Sequence, residues 1–238
     1  MDKKVPLLLL PGMICDGAFW RAQVTDLADI SAPRVMEFGA LESFEAMADK
    51  VLSEAPERFA LAGHSMGGRV AQEVYRKAPH RVLRLALLAT DFRGHVSEEA
   101  RLAEEARRNG MLAKVAAEGM ESFAKGWVKM VVAPANMGNA ALVNEVVAMM
   151  ARQTPDLLAA HTLAGLQRRD YTEMLERIAC PALLAPGDGD TLRPVSVHEE
   201  MMARIPGSRL AVIRNSGHMV AMEQPQQVTA ALREWLSL

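Results

Sequence analysis

Cysteine is almost missing from this 238-residue chain, and aromatic residues make up only 5% of it. No stretch approaches the roughly 20 consecutive apolar residues that span a bilayer. Each shortage excludes something. Two cysteines, Cys15 and Cys180, make neither a disulfide framework nor a zinc ligand set, which points to a reducing cytoplasm. Charge of one sign is not in excess: 27 Lys and Arg face 29 Asp and Glu, for a net charge of −2. No long like-charged run occurs either, so neither nucleic acid nor an anionic membrane is expected as a partner. With 16 glycines and 12 prolines the chain is not of low complexity, and at 50% hydrophobic residues it is too apolar to be disordered. It is long enough to bury a sizeable core. Asp2, Lys3 and Lys4 before an apolar stretch look like the start of a secretory leader. That stretch stops at Pro11-Gly12 with no small-residue cleavage site, so a soluble intracellular protein is expected.

The ordering of apolar residues is informative. Strand-like runs at residues 5–10, 35–38, 59–62 and 82–89 alternate with amphipathic helical runs at 16–28, 43–54 and 66–77. Asp16 caps the first helix, with Phe19, Val24 and Leu27 facing inward. From about residue 92 to 170 the strands vanish and helical stretches follow one another, broken at Gly110, Gly119, Pro134, Gly138 and Pro155. Ser97 with Glu98 and Glu99 starts one helix, and Leu142, Val146, Met149 and Met150 form one apolar stripe on another. Strands then return at 182–185 and 210–213, with helices at 195–204 and 225–236. This alternation predicts an α/β fold with a parallel sheet flanked by helices. The core spans residues 1–91 and 171–238, and residues 92–170 form a helical cap.

Between one strand and one helix lies Gly63-His64-Ser65-Met66-Gly67-Gly68. A nucleophilic serine must stand clear of the sheet on a turn so tight that side chains two positions away would collide, and glycines occupy both places. No Lys-Ser or Lys-Thr follows, so the segment is not a phosphate loop. A serine hydroxyl needs a histidine base. Of the six histidines, His218 in Asn215-Ser216-Gly217-His218 follows the last strand, which puts it at the same sheet edge as Ser65. His161 and His198 fall in helices, His80 at the far end of a strand, and His64 points away; His95 carries no such signal. The base needs a carboxylate. Asp190 is preferred, with Asp91 and Asp188 also at that edge. Backbone N–H groups of Met66, directly after Ser65, and of Met13, after the first strand, are the candidate oxyanion donors. Neither a metal nor a cofactor is required.

The chain resembles the α/β-hydrolase fold superfamily, in its cap-bearing, serine esterase or enol-lactonase-like branch. The resemblance rests on residues 63–68, 187–190 and 216–218 followed by Glu223-Gln224-Pro225, in the order Ser65, Asp190, His218. It implies an acid three residues after Gly187, hence Asp190 rather than Asp188, and roughly six parallel strands, with Val5 to Leu10 as the third strand of the full fold. Pro11-Gly12 replaces the His-Gly of many relatives, which leaves a backbone donor intact. The implied activity is a carboxylesterase cleaving a small, largely apolar ester. Alternatives are an enol-lactonase or carbon–carbon bond hydrolase of aromatic catabolism, or a ligand-binding protein that keeps the fold without turnover. Sixteen methionines suggest a pliable apolar pocket, with Met111, Trp127, Met130 and Met219 as candidate lining. Trp127 with Lys129, Arg168 and Arg169 either offers a binding group for a carboxylate or is a solvated face.

Overall fold

Residues 4–238 are described by a computed structural model; Asp2 and Lys3 of the leader-like start lie outside the described residues. Strand β1 (Val5–Leu10) leads into a single 3-10 turn at Gly17–Trp20, capped by Asp16, and helix α1 (Arg21–Asp26). Strand β2 (Ser31–Val35), helix α2 (Phe44–Glu54), strand β3 (Phe59–His64), helix α3 (Met66–Lys77) and strand β4 (Val82–Leu88) follow. Four helices come next: α4 (Glu98–Val131), α5 (Ala140–Ala151), α6 (Pro155–Leu166) and the short α7 (Thr172–Leu175). The alternation resumes with β5 (Ala182–Ala185), α8 (Val195–Arg204) and β6 (Arg209–Leu210), and ends in α9 (Val220–Glu223) and α10 (Pro225–Leu236).

The six strands pair in the order β2-β1-β3-β4-β5-β6, and every pairing is parallel. Side chains alternate between the faces with the period of two that a strand imposes. Leu7, Leu9, Ala60, Ala62, Ala86 and Leu88 pack with Val228, Leu232 and Trp235 of α10. Leu8, Leu10, Leu61, Leu85 and Leu87 pack on the opposite side against Val70 and Val74 of α3 and Met47 of α2. Both faces are therefore dry, as a parallel sheet requires.

Four local expectations are corrected. The second strand is residues 31–35, aligned from Val5↔Ser31 to Leu9↔Val35, rather than 35–38. Met36 still donates its N–H to the Leu9 carbonyl at 3.0 Å, Phe38 is buried beside Phe44 without pairing, and Pro33 is tolerated because β2 is an edge strand. The first helix is a 3-10 turn followed by one short α segment, not a single helix through Ala28. Gly110 does not break α4; a glycine in an exposed helix costs only about 1 kcal/mol, whereas Gly119, at φ 81°, does kink it. The last strand shrinks to residues 209–210, with Ile213 bridging to Gly187 on its own. His80 sits in a 3-10 turn that leads directly into β4, at the far end of that strand as expected.

β1 has β2 on one side and β3 on the other, so successive connections leave it in opposite directions. In open parallel sheets the crevice at such a switch point, beyond the C-terminal strand ends, is where ligands bind. Leu10 pairs with Gly63 there, which sets the Pro11–Met13 loop beside Ser65. Among the described residues no helix is long and apolar enough to cross a membrane.

Candidate active site

Ser65 forms the bend between β3 and α3, at φ 51° and ψ −113°. A residue with a side chain holds such a conformation only at a cost of about 1–3 kcal/mol, so its surroundings must impose it. The Ser65 N–H donates to the Leu88 carbonyl at 2.9 Å, and its own carbonyl accepts from the Thr90 hydroxyl at 2.6 Å and the Gly68 N–H at 3.0 Å. The flanking chain passes too close for side chains. A Cβ on Gly63 would lie 2.3 Å from the Gly67 carbonyl oxygen, and one on Gly67 would lie 2.4 Å from that of Leu10.

His218 reaches this serine from the loop after β6. Its Nε2 lies 2.9 Å from Ser65 Oγ and its Nδ1 lies 2.7 Å from Asp190 Oδ2. An ionised carboxylate only accepts, so Nδ1 carries the proton and Nε2 accepts from the serine hydroxyl. Asp190 is buried, and its other oxygen accepts the N–H groups of Leu192 and Arg193 at 2.8 and 3.0 Å. Burial alone would raise its pKa. The His218 charge and hydrogen bond, with the two backbone donors, outweigh that and hold it at about 2. Asp91 and Asp188 do not reach the imidazole. Asp91 caps the N–H groups of Phe92 and Arg93 and lies 3.7 Å from Arg69, while Asp188 accepts from the Ser216 N–H at 3.2 Å.

The His218 loop is tied to the end of α4. The Val131 carbonyl accepts the His218 and Met219 N–H groups at 2.8 and 3.2 Å. Glu223 binds the same loop from below: one carboxylate oxygen takes the Gly217 and Met219 N–H groups, and the other takes that of Ala133 beyond α4. The Glu-Gln-Pro run marked this segment, but the need for a buried acceptor emerges only once the loops meet.

His64 does not point away, as expected from its position beside Ser65. Strand pairing turns its ring under His218, with Nε2 2.9 Å from the His218 carbonyl and the ring centroids 5.0 Å apart. Three further histidines hold backbone groups, and His161 also lines the cavity above Ser65. His161 accepts the Ile14 N–H and donates to the Gly39 carbonyl, His198 accepts from the Thr90 N–H, and His95 bonds the Leu166 carbonyl.

A cavity of about 610 Å³ opens over Ser65 and His218. Met13, Met66, Met111, Trp127, Met130 and Met219 all line it, Met130 from a half-exposed position. Arg168 joins them, but Lys129 and Arg169 do not, Arg169 lying 3.7 Å from Glu73 instead. Cys15 also faces the cavity, but burial, reinforced by the neighbouring Asp16 charge, pushes its thiol up to about 12, which leaves it a poor nucleophile. Sequence reasoning missed the charged residues Arg69, Glu104, Arg107, Arg108, Lys114 and Arg193, which line the cavity as well. Arg69, one turn along α3 from Ser65, was the one findable from spacing.

The chain is similar to a pimeloyl-acyl-carrier-protein methyl ester esterase from Aromatoleum aromaticum, with 27% identity over 201 residues, 81% of this chain and 79% of that one. An esterase from Thermogutta terrifontis superposes with a TM-score of 0.88 at 31% identity, covering 99% of this chain and 90% of the other. The enol-lactonase from Burkholderia xenovorans LB400 shares the fold, with a TM-score of 0.84 at 19% identity over 100% of this chain and 93% of its own. Residues 7–232 match the alpha/beta hydrolase family, so nearly the whole chain, from the first described strand to the last helix, belongs to that family of hydrolases.

Proposed function

We propose that the protein is a serine hydrolase that cleaves a carboxylic ester through an acyl-enzyme. The observation that carries this reading is the hydrogen-bonded relay Ser65–His218–Asp190 at the floor of the cavity. Ser65 Oγ attacks the ester carbonyl carbon while its proton passes to His218 Nε2. The carbonyl oxygen becomes an oxyanion held by two N–H groups. Met66 begins α3, where the first helical N–H groups lack intrahelical partners. The Met13 N–H is free of a hydrogen-bond partner among the described residues. His218 returns its proton to the departing alcohol, then takes one from water as that water attacks the acyl carbon, and gives it to Ser65 Oγ as the Oγ–acyl bond breaks and the carboxylic acid leaves. Helices α4 to α6 act as the cap that shapes the acyl and alcohol pockets. The esterase names of the relatives support ester cleavage; a lactone would open by the same steps.

The test is Ser65→Ala. The variant is expected to keep the circular dichroism and melting profile of a folded protein while losing p-nitrophenyl ester hydrolysis and labelling by a serine-directed phosphonate. Undiminished turnover in that variant would remove Ser65 as the nucleophile.

A further inference from the structure

Besides its methionines, the cavity carries an unusual density of positive charge. Arg69, Arg108, Arg168 and Arg193 enter it from four separate places: α3, α4, the turn after α6 and the loop beyond Asp190. Among the described residues only two carboxylates lie within 4.0 Å of them. Glu104 bridges Arg108 at 2.7 Å and Arg168 at 2.8 Å, and Asp91 lies 3.7 Å from Arg69, beyond hydrogen-bond reach. Arg193 pairs with no carboxylate among the described residues; its guanidinium donates to the Leu192 carbonyl. These four guanidinium groups, with Arg107 and Lys114 also lining the cavity, thus face two acids among the described residues.

Two of these donors are also stranded. Arg69 Nη1 and Arg168 Nε are buried without a hydrogen-bond partner among the described residues, and the Arg69 side chain is only 6% exposed. Leaving a buried charged donor unsatisfied is among the more expensive arrangements a protein can adopt. A fold keeps one where something else supplies the acceptor. Burial foremost, opposed by Asp91 and reinforced by Arg193 and Arg168, pulls the Arg69 guanidinium below its ordinary value, as expected of a cation cluster short of anions. Arg69 follows Ser65 by four residues, about 6 Å of rise along the helix.

Resting on the ester hydrolase reading above, we infer that Arg69, with Arg168 and Arg193, forms a subsite for a carboxylate carried by the substrate. The ester cleaved is then one end of a bifunctional molecule whose other end is ionised. A neutral acceptor would satisfy the stranded N–H groups but leave the excess charge unmet. A carboxylate does both, and its planar pair of oxygens matches the guanidinium fork.

The experiment compares kcat/KM, at constant ionic strength, within matched pairs: monomethyl adipate against methyl hexanoate, and 4-acetoxybutyrate against butyl acetate. A phosphonate counterpart of the adipate ester forms a third arm. At least one carboxylate ester is expected to exceed its neutral partner by about tenfold or more. That ratio is expected to fall towards one in Arg69→Met and to survive in part in Arg69→Lys. Equal or greater turnover of both neutral esters by the unaltered enzyme overturns the subsite, and preference for the phosphonate over every carboxylate overturns its assignment to carboxylates. A second measurement needs no variant: glutarate should inhibit methyl hexanoate hydrolysis competitively where sodium chloride of equal ionic strength does not, and failure to do so counts against the subsite. The two readings fail differently. Loss of ester preference with Ser65 still labelled by a phosphonate sinks the subsite alone, whereas turnover retained in Ser65→Ala sinks the reading beneath it.

Discussion

The His64 ring lies beneath His218, with Nε2 2.9 Å from the His218 carbonyl oxygen. A carbonyl only accepts, so His64 Nε2 carries the proton and donates. Burial foremost, with the His218 charge adding to it, pushes His64 well below its ordinary value, so the ring stays neutral and serves as a prop. It also stacks on Phe19 with centroids 4.0 Å apart. His64→Phe keeps that stack but removes the donor. It is expected to lower kcat/KM about three- to tenfold, the worth of one hydrogen bond that positions the base. His64→Gln, which can still donate, should recover most of the loss. Unchanged kcat/KM in the phenylalanine variant would show that the prop is dispensable.

Strain at Ser65 gives a second prediction. Its φ of 51° is natural for glycine and costly for a residue with a Cβ. Ser65→Ala keeps the Cβ and therefore the strain, whereas Ser65→Gly releases it. The glycine variant loses part of the gain through its more mobile unfolded chain. Urea unfolding should nevertheless find Ser65→Gly more stable than Ser65→Ala by about 1 kcal/mol. The reverse order would mean that the bend is not strained.

Glu223 holds the loop that carries His218. Four donors converge on it: the N–H groups of Gly217, Met219 and Ala133, and the Asn136 side-chain amide at 2.8 Å. Glu223→Gln preserves volume but turns one oxygen into a donor facing donors. It should cost about 2 kcal/mol of stability and depress kcat, because the displaced amides flank His218. A variant as stable and as active as the parent would remove the role.

What the sequence revealed and what it hid divide by range. The Gly63–Gly68 bend was legible because close approach permits only glycine there, and α3 and α10 ran between the predicted limits because Pro79 and Pro225 punctuate them. Ser65, Asp190 and His218 shared one rim because each follows a parallel strand, and parallel strands end at the same edge. The orientation of His64, the orphan guanidinium of Arg69 and the pairing of β2 were not legible. Each depends on contacts between segments far apart in sequence: His64 on the loop at 218, Arg69 on Asp91 and Arg193, and β2 on its alignment with β1. Phe38 shows why apolar pattern alone misleads, since burial does not require pairing.

Asp190 supplies the last prediction, in two parts. Asp190→Asn should lower kcat/KM about 1,000- to 10,000-fold, since an amide can hold the imidazole in the wrong tautomer, while Asp91→Asn should lower it less than about tenfold. The second part concerns stability. The folded carboxyl sits at about 2, below its ordinary 3.8, so the folded state binds this proton more weakly than the unfolded chain does. A depressed pKa contributes stability that is complete above the unfolded value and is lost as pH falls through the folded one. The parent should therefore hold about 2 kcal/mol from this group at a pH just above its ordinary value and surrender it between roughly pH 4 and pH 2. Chemical denaturation of parent and Asp190→Asn across that range isolates the contribution. The gap between the two curves should change by about that amount between roughly pH 5 and pH 2. A gap independent of pH through the acid range would mean that the carboxylate is not held by the imidazole and the backbone N–H groups of Leu192 and Arg193.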